Sequence, residues 1–193
     1  MNKEVLRSLY LEKRQTLTSK EFERRNSLLF QHVTNFLKHH QDLTNCHLFL
    51  SIEKFQEPNT WPILDWLIKS QDHSAFASKT NFKEKLLSHY EVNTDTEIAT
   101  SKFGIPEPVD AQEIESKILD VVFIPLISFD LTGNRIGFGA GIYDRFLTKL
   151  PSKTKKIGLA ITPPLDNIDY NNALDIPLDA CISHLGIDHF NVK

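Results

Sequence analysis

The chain is poor in cysteine, methionine, tryptophan and glycine, and it has neither a strong charge of one sign nor a long apolar run. Its two cysteines in 193 residues, Cys46 and Cys181, are too few for the disulfide framework of a small secreted domain. Each sits in an apolar, strand-like run, so both are expected as buried, reduced thiols of a cytoplasmic protein. No 18-residue apolar stretch and no secretory or lipidation signal is visible, which argues against a membrane partner. Lys and Arg number 22 against 25 Asp and Glu, a net charge of −3. That balance lacks the basic excess of a nucleic-acid binder. The eight histidines include no H-E-x-x-H and no Cys/His pair at zinc spacing.

An apolar content of 40% and a charged content of 24% are those of an ordinary globule, and residues 1–193 suit a single domain. Residues 2–17 read as a helix with Val5, Leu6, Leu9 and Lys13 or Leu17 on one face. Thr18-x-x-Glu21 is a capping box opening a second helix with a stripe of Phe22, Leu29, Val33, Phe36 and Leu37. Strands are expected at 46–52, 74–77, 85–92, 119–124, 157–161 and 180–185. A third helix runs from a Thr60 cap through Trp61, Leu64, Leu67 and Ile68, and 101–108 reads as a turn-rich segment. Strands alternating with helices predict an α/β fold, a three-layer sandwich with a largely parallel central sheet flanked by helices.

Glycine is scarce but concentrated: four of seven lie between Gly133 and Gly141. The run Gly133-Asn134-Arg135-Ile136-Gly137-Phe138-Gly139-Ala140-Gly141-Ile142-Tyr143-Asp144-Arg145 follows an apolar β-branched strand and precedes a helical pattern at 142–150. Such a loop lets main-chain N–H groups approach an anion, and Arg135 adds a planar cation suited to phosphate oxygens. The spacing is neither G-x-G-x-x-G nor a Walker A loop. A plain strand-to-helix connection is the alternative. Asp144 is either a Mg²⁺ ligand beside a polyphosphate or an acid stabilising a helix start.

The same run resembles the signature of the 5-formyltetrahydrofolate cyclo-ligase family. The resemblance extends to Lys3-x-x-x-Arg7, to Glu57-Pro58-Asn59-Thr60 and to Phe103-Gly104-Ile105-Pro106-Glu107-Pro108. Asp120, Phe129-Asp130 and Asp175-Ile176-Pro177-Leu178-Asp179 also stand in the expected order. The resemblance implies an ATP- and Mg²⁺-dependent ligase converting 5-formyltetrahydrofolate to 5,10-methenyltetrahydrofolate with release of ADP and phosphate. It implies that Lys3, Arg7, Arg135, Ile136, Gly137, Phe138, Gly139, Ala140, Gly141, Ile142 and Tyr143 bind ATP, with Arg135 also catalytic. Leu50, Glu57 and Phe103 would bind folate, Glu57 through the pterin ring, and Asp144 and Asp175 would hold Mg²⁺. Partners would be these small molecules alone, with no nucleic acid, and a monomer is expected.

Phe138, Ala140 and Ile142 depart from the family's pattern. They motivate a second reading, a nucleotide- or folate-binding protein without turnover. A third is a sugar-phosphate isomerase or CoA-transferase relative on a similar α/β scaffold.

Overall fold

The computed structural model describes residues 3–168 and 174–190; Asn2, expected to open the first helix, lies outside them. The chain runs α1 (Lys3–Gln15), α2 (Ser19–His39), β1 (Asn45–His47), α3 (Trp61–Lys69), β2 (Ser74–Asn81) and β3 (Leu86–Val92). It continues through β4 (Glu97–Thr100), β5 (Pro106–Val109), β6 (Glu113–Ile114), β7 (Val121–Pro125), β8 (Ser128–Phe129) and β9 (Arg135–Ile136). It ends with α4 (Ile142–Leu147), β10 (Lys155–Ala160), β11 (Ala180–Ser183) and β12 (Gly186–His189).

Eight strands form one sheet in the order β12-β11-β10-β7-β1-β2-β3-β6. The five strands from β11 to β2 pair in parallel, and β12, β3 and β6 add antiparallel edges. The period of two along β7 sorts side chains between the faces. Val121 and Phe123 join Leu29, Val33, Ile63 and Leu67 of α2 and α3 on one face. Val122 and Ile124 join Phe146 and Leu147 of α4 on the other. The expected sandwich with a largely parallel sheet is therefore the fold, with helices on both faces.

Several local expectations change. The buried stripe of α1 is Leu6, Tyr10 and Arg14, while Val5 is 49% exposed. The buried arginine hid this stripe from a reading based on apolar residues. Thr18 does cap α2, accepting the Glu21 N–H at 3.2 Å, but the Glu21 carboxylate turns to Arg24 and Arg25. Thr60 does not cap α3. It is wholly buried, and its hydroxyl donates to the Phe49 carbonyl at 2.7 Å and accepts the Ser51 N–H at 3.1 Å. Those main-chain groups lie beyond the end of the short β1 and need partners; Asn59 accepts the Trp61 N–H instead. The segment 101–108 contributes β5, paired with β4 as a separate ribbon. β12 was not foreseen.

β8 and β9 interpose a hairpin before the glycine loop. Gly133 belongs to that hairpin's turn at φ +88°, where a Cβ would stand 3.0 Å from the Leu178 carbonyl oxygen and the Phe190 ring. It is a packing glycine, separate from the three that follow. The turn is held by Asp130, which accepts the N–H groups of Thr132, Asn134 and Ile168 at 2.9 Å each. Burial opposes ionisation of this carboxyl, but the donors win and its pKa lies below the ordinary aspartate value.

Gly158, in the middle of β10, is closely packed by neighbouring side chains. A Cβ there would lie 2.6 Å from Leu126 Cδ2 and 2.8 Å from Leu178 Cδ1. Gly158→Ala should lower the unfolding free energy by about 1–3 kcal/mol through overpacking, read as a reduced urea midpoint with unchanged slope.

Candidate active site

β2 lies on one side of β1, and the chain then crosses to β7 on the other. In open α/β sheets the crevice beyond the strand ends at such a reversal is where ligands bind. A cavity of about 1360 Å³ opens there, lined by Leu50 and Ile52 after β1, Ser78 and Thr80 of β2, and Pro125 of β7. It exceeds the usual ~300–1,000 Å³ of a single small-ligand pocket.

Every residue to which the resemblance gave a binding, catalytic or metal role borders this cavity: Lys3, Arg7, Leu50, Glu57, Phe103, residues 135–143, Asp144 and Asp175. They come from segments up to 172 positions apart, as in the Lys3 to Asp175 ion pair. Arg7 Nε donates to the Gly137 carbonyl at 2.9 Å, and its guanidinium lies over Gly139, where a Cβ would sit 3.0 Å away at φ +95°. The N-terminal helix is thereby fastened to the glycine loop. Among the described residues, no main-chain carbonyl receives an N–H from residues 137–141. α4 is only six residues long, and its N-cap, Gly141 at φ +67°, provides no side-chain bond. The loop amides, rather than a helix dipole, are the main-chain feature suited to an anion.

Arg135 is held rather than free. Its Nη2 donates to Asp144 Oδ1 at 2.5 Å, its Nη1 to the Ile176 carbonyl, and its side chain is 7% exposed. Burial lowers its pKa, while Asp144 and Asp175 oppose that shift. The guanidinium stays charged and carries two nearby carboxylates. Asp144 uses Oδ1 for both Arg135 and the Ile176 N–H. Among the described residues its Oδ2 takes no hydrogen bond in the structure. No group of three His, Cys, Asp or Glu side chains assembles among the described residues. Two carboxylates beside this loop fit the usual Mg²⁺ arrangement of one or two carboxylates completed by phosphate oxygens and water.

Glu57 is 6% exposed and accepts the Ile52 N–H at 2.8 Å. Burial raises its pKa, against the Ile52 hydrogen bond and the charge of Arg14. Arg14, not singled out in the sequence, is wholly buried and donates from Nη2 to the carbonyls of Leu126 at 2.5 Å and Ile127 at 3.3 Å. Burial lowers its pKa to about 10. Tyr143 is also pushed upward, first by burial and then by the charge of Glu57, so its phenol stays protonated. Around the mouth, Phe55 meets Phe138 at 5.8 Å between centroids, and Phe82 meets Phe103 edge-on at 4.7 Å.

Asp120 and Asp179, part of the sequence pattern, have scaffold contacts. Asp120 accepts the Asn45 N–H, and Asp179 accepts the Lys156 N–H and pairs with its ammonium. Phe55, Ser78, Thr80 and Phe82 border the cavity without having been expected there. For Ser78 and Thr80 the period of two along β2 was the available signal; Phe55 and Phe82 lie outside that strand.

The family model described as the 5-formyltetrahydrofolate cyclo-ligase family matches residues 1–179. This chain belongs to that family. It is a ligase. The chain is 29% identical over 150 residues to the 5-formyltetrahydrofolate cyclo-ligase of Haemophilus influenzae, covering 76% of this chain and 79% of that protein. It is 29% identical over 139 residues to that of Escherichia coli K12, covering 70% and 75%. The NMR structure of Aquifex aeolicus 5,10-methenyltetrahydrofolate synthetase superposes with a TM-score of 0.81 at 28% identity, over 100% of this chain and 95% of that one. The isomerase and CoA-transferase reading has no counterpart among these relatives. No helix among the described residues is long and apolar enough to cross a membrane.

Gly139→Ala should weaken nucleotide binding by about tenfold or more, because a positive φ strains any L side chain and the methyl displaces the Arg7 guanidinium. Isothermal titration with a non-hydrolysable ATP analogue measures it, and thermal unfolding checks that the fold is kept.

Proposed function

We propose that this cyclo-ligase uses Mg·ATP to close 5-formyltetrahydrofolate to 5,10-methenyltetrahydrofolate. The observation that carries the reading is the gathering of Lys3, Arg7, Arg135, Glu57 and two aspartates around one cavity large enough for two ligands. The formyl oxygen of the substrate is a poor leaving group. Transfer of the γ-phosphoryl group to it converts it into phosphate, which departs when the folate N10 attacks the formyl carbon. This chemistry asks the protein mainly for positioning and charge stabilisation.

Lys3 and Arg7, one turn apart on α1, hold phosphate oxygens with the amides of residues 137–142. Ile136, Phe138, Ala140 and Tyr143 shape the nucleotide site. Arg135 faces the transferring phosphoryl group, where a cation fixed in advance by Asp144 and Ile176 needs no reorganisation as charge develops. Asp144 and Asp175 hold Mg²⁺, which when bound neutralises phosphate charge. Glu57 takes two parallel hydrogen bonds from the aminopyrimidine edge of the pterin, for which its ionised form is needed; the nearby Arg14 charge favours that form. Leu50 and Phe103 provide apolar contact for the folate. The substrates are small molecules, and the enzyme acts as a cytoplasmic monomer.

Mixing the protein with 5-formyltetrahydrofolate and Mg·ATP should produce the methenyl absorbance band. Binding of both ligands without that band would establish the non-catalytic reading instead. Arg135→Ala should lower kcat by about 10²–10³-fold with a smaller change in ATP affinity, and an equal loss in both would reassign Arg135 to ground-state binding. Glu57→Gln should raise the folate KM by about 10- to 100-fold with the ATP KM little changed.

A further inference from the structure

Beneath α4, a serine in the cavity wall is held between two histidines. His47 on β1 and His89 on β3 flank Ser78 on β2, with His47 Nε2 2.6 Å and His89 Nδ1 3.0 Å from Ser78 Oγ. Both imidazoles are packed by Phe146, at centroid distances of 5.4 and 4.2 Å. They are 0% and 6% exposed. Burial, the largest cause for each, lowers their pKa values, that of His89 to about 4, so both rings are neutral near pH 7.

The direction of the hydrogen bonds follows from one orphan atom. His47 Nδ1 is buried and has no partner among the described residues. A bare acceptor nitrogen is easier to leave unpaired than a bare N–H, so the His47 proton is on Nε2 and donates to Ser78 Oγ. The serine hydroxyl, having accepted from one side, donates to the other. It therefore points its proton at His89 Nδ1, which carries the lone pair. What remains on Oγ is an acceptor lone pair on a residue that borders the cavity. A hydroxyl whose proton is directed at a neutral imidazole is the standard arrangement for passing on a proton received from a substrate.

Ring closure moves one proton from N10, and the departing phosphate finally carries it as HPO4²⁻. When N10 of the folate attacks the formyl carbon, a C–N bond forms, the C–O bond to phosphate breaks with its electron pair leaving on phosphate, and N10 must lose its hydrogen. We propose that Ser78 receives the N10 proton while its own hydroxyl proton moves to His89 Nδ1. His89 is then a transient imidazolium that returns the proton, through Ser78 or water, to the departing phosphate. Ser78 is on this account a catalytic residue, and His89 and His47 act through it. The inference rests on the cyclo-ligase reading above.

The test is formation of the methenyl band at saturating Mg·ATP over a range of 5-formyltetrahydrofolate concentrations. Ser78→Ala should lower kcat about 100-fold and leave KM within about threefold of wild type. Ser78→Thr, which keeps the hydroxyl, should recover most of the rate. His89→Gln keeps an acceptor for the Ser78 hydroxyl but cannot take up the proton, and it should lower kcat to a similar extent. If Ser78→Ala loses its cooperative thermal transition, the kcat of His89→Gln decides. Wild-type kcat in the readable variant, or a raised KM with kcat intact, overturns the proton role while leaving the ligase reading standing. A wild-type protein that yields no band overturns the ligase reading, and this inference with it.

Discussion

The assembly of the cavity depends on a charge buried in the N-terminal helix. Arg14 inserts its guanidinium beneath the end of β7 and binds the carbonyls of Leu126 and Ile127, while its Nε and Nη1 find no partner among the described residues. A buried cation with unsatisfied donors is costly, so the helix has one docking position in which its charge is best satisfied. That position places Arg7 over Gly139 and Lys3 beside Asp175. The same guanidinium opposes the upward shift that burial imposes on Glu57. One helix thus places two cations at the cavity and also influences the buried acid.

The second half of the cavity is organised around Asp130. Its carboxylate gathers three main-chain N–H groups and the side chains of Thr132 and Asn134. Closing the β8–β9 turn this way sends Arg135 and the following glycines toward the cavity. Gly133 serves that turn, whereas Gly137, Gly139 and Gly141 border the cavity. A cluster that looks uniform in the sequence thus divides into one glycine packed in a turn and three that border the cavity.

The α/β architecture and the order of most elements were legible because apolar periodicity records which face each element buries. The stripe Leu29, Val33, Phe36 and Leu37 of α2 is an example. Periodicity failed where a polar residue occupied a core position, as with Arg14 in α1, or where a hydroxyl served the backbone from a distance, as with Thr60. The candidate site was legible through ordered motifs, but the motifs did not separate binding groups from scaffold. Asp120 and Asp130 stand among them as plainly as Asp144, yet only Asp144 of the three borders the cavity. The meeting of His47, Ser78 and His89 has no local signal, because it depends on the register of three strands.

What the sequence alone determined is therefore the set of elements, the family resemblance and the residue types available for phosphate and folate chemistry. These follow from local pattern and spacing. Tertiary structure decided which charges neutralise one another, which carboxylates face the cavity, and the meeting of residues 47, 78 and 89. Those outcomes depend on strand register and on how helices dock, and both are settled only when groups far apart in the chain satisfy each other's hydrogen bonds and burial.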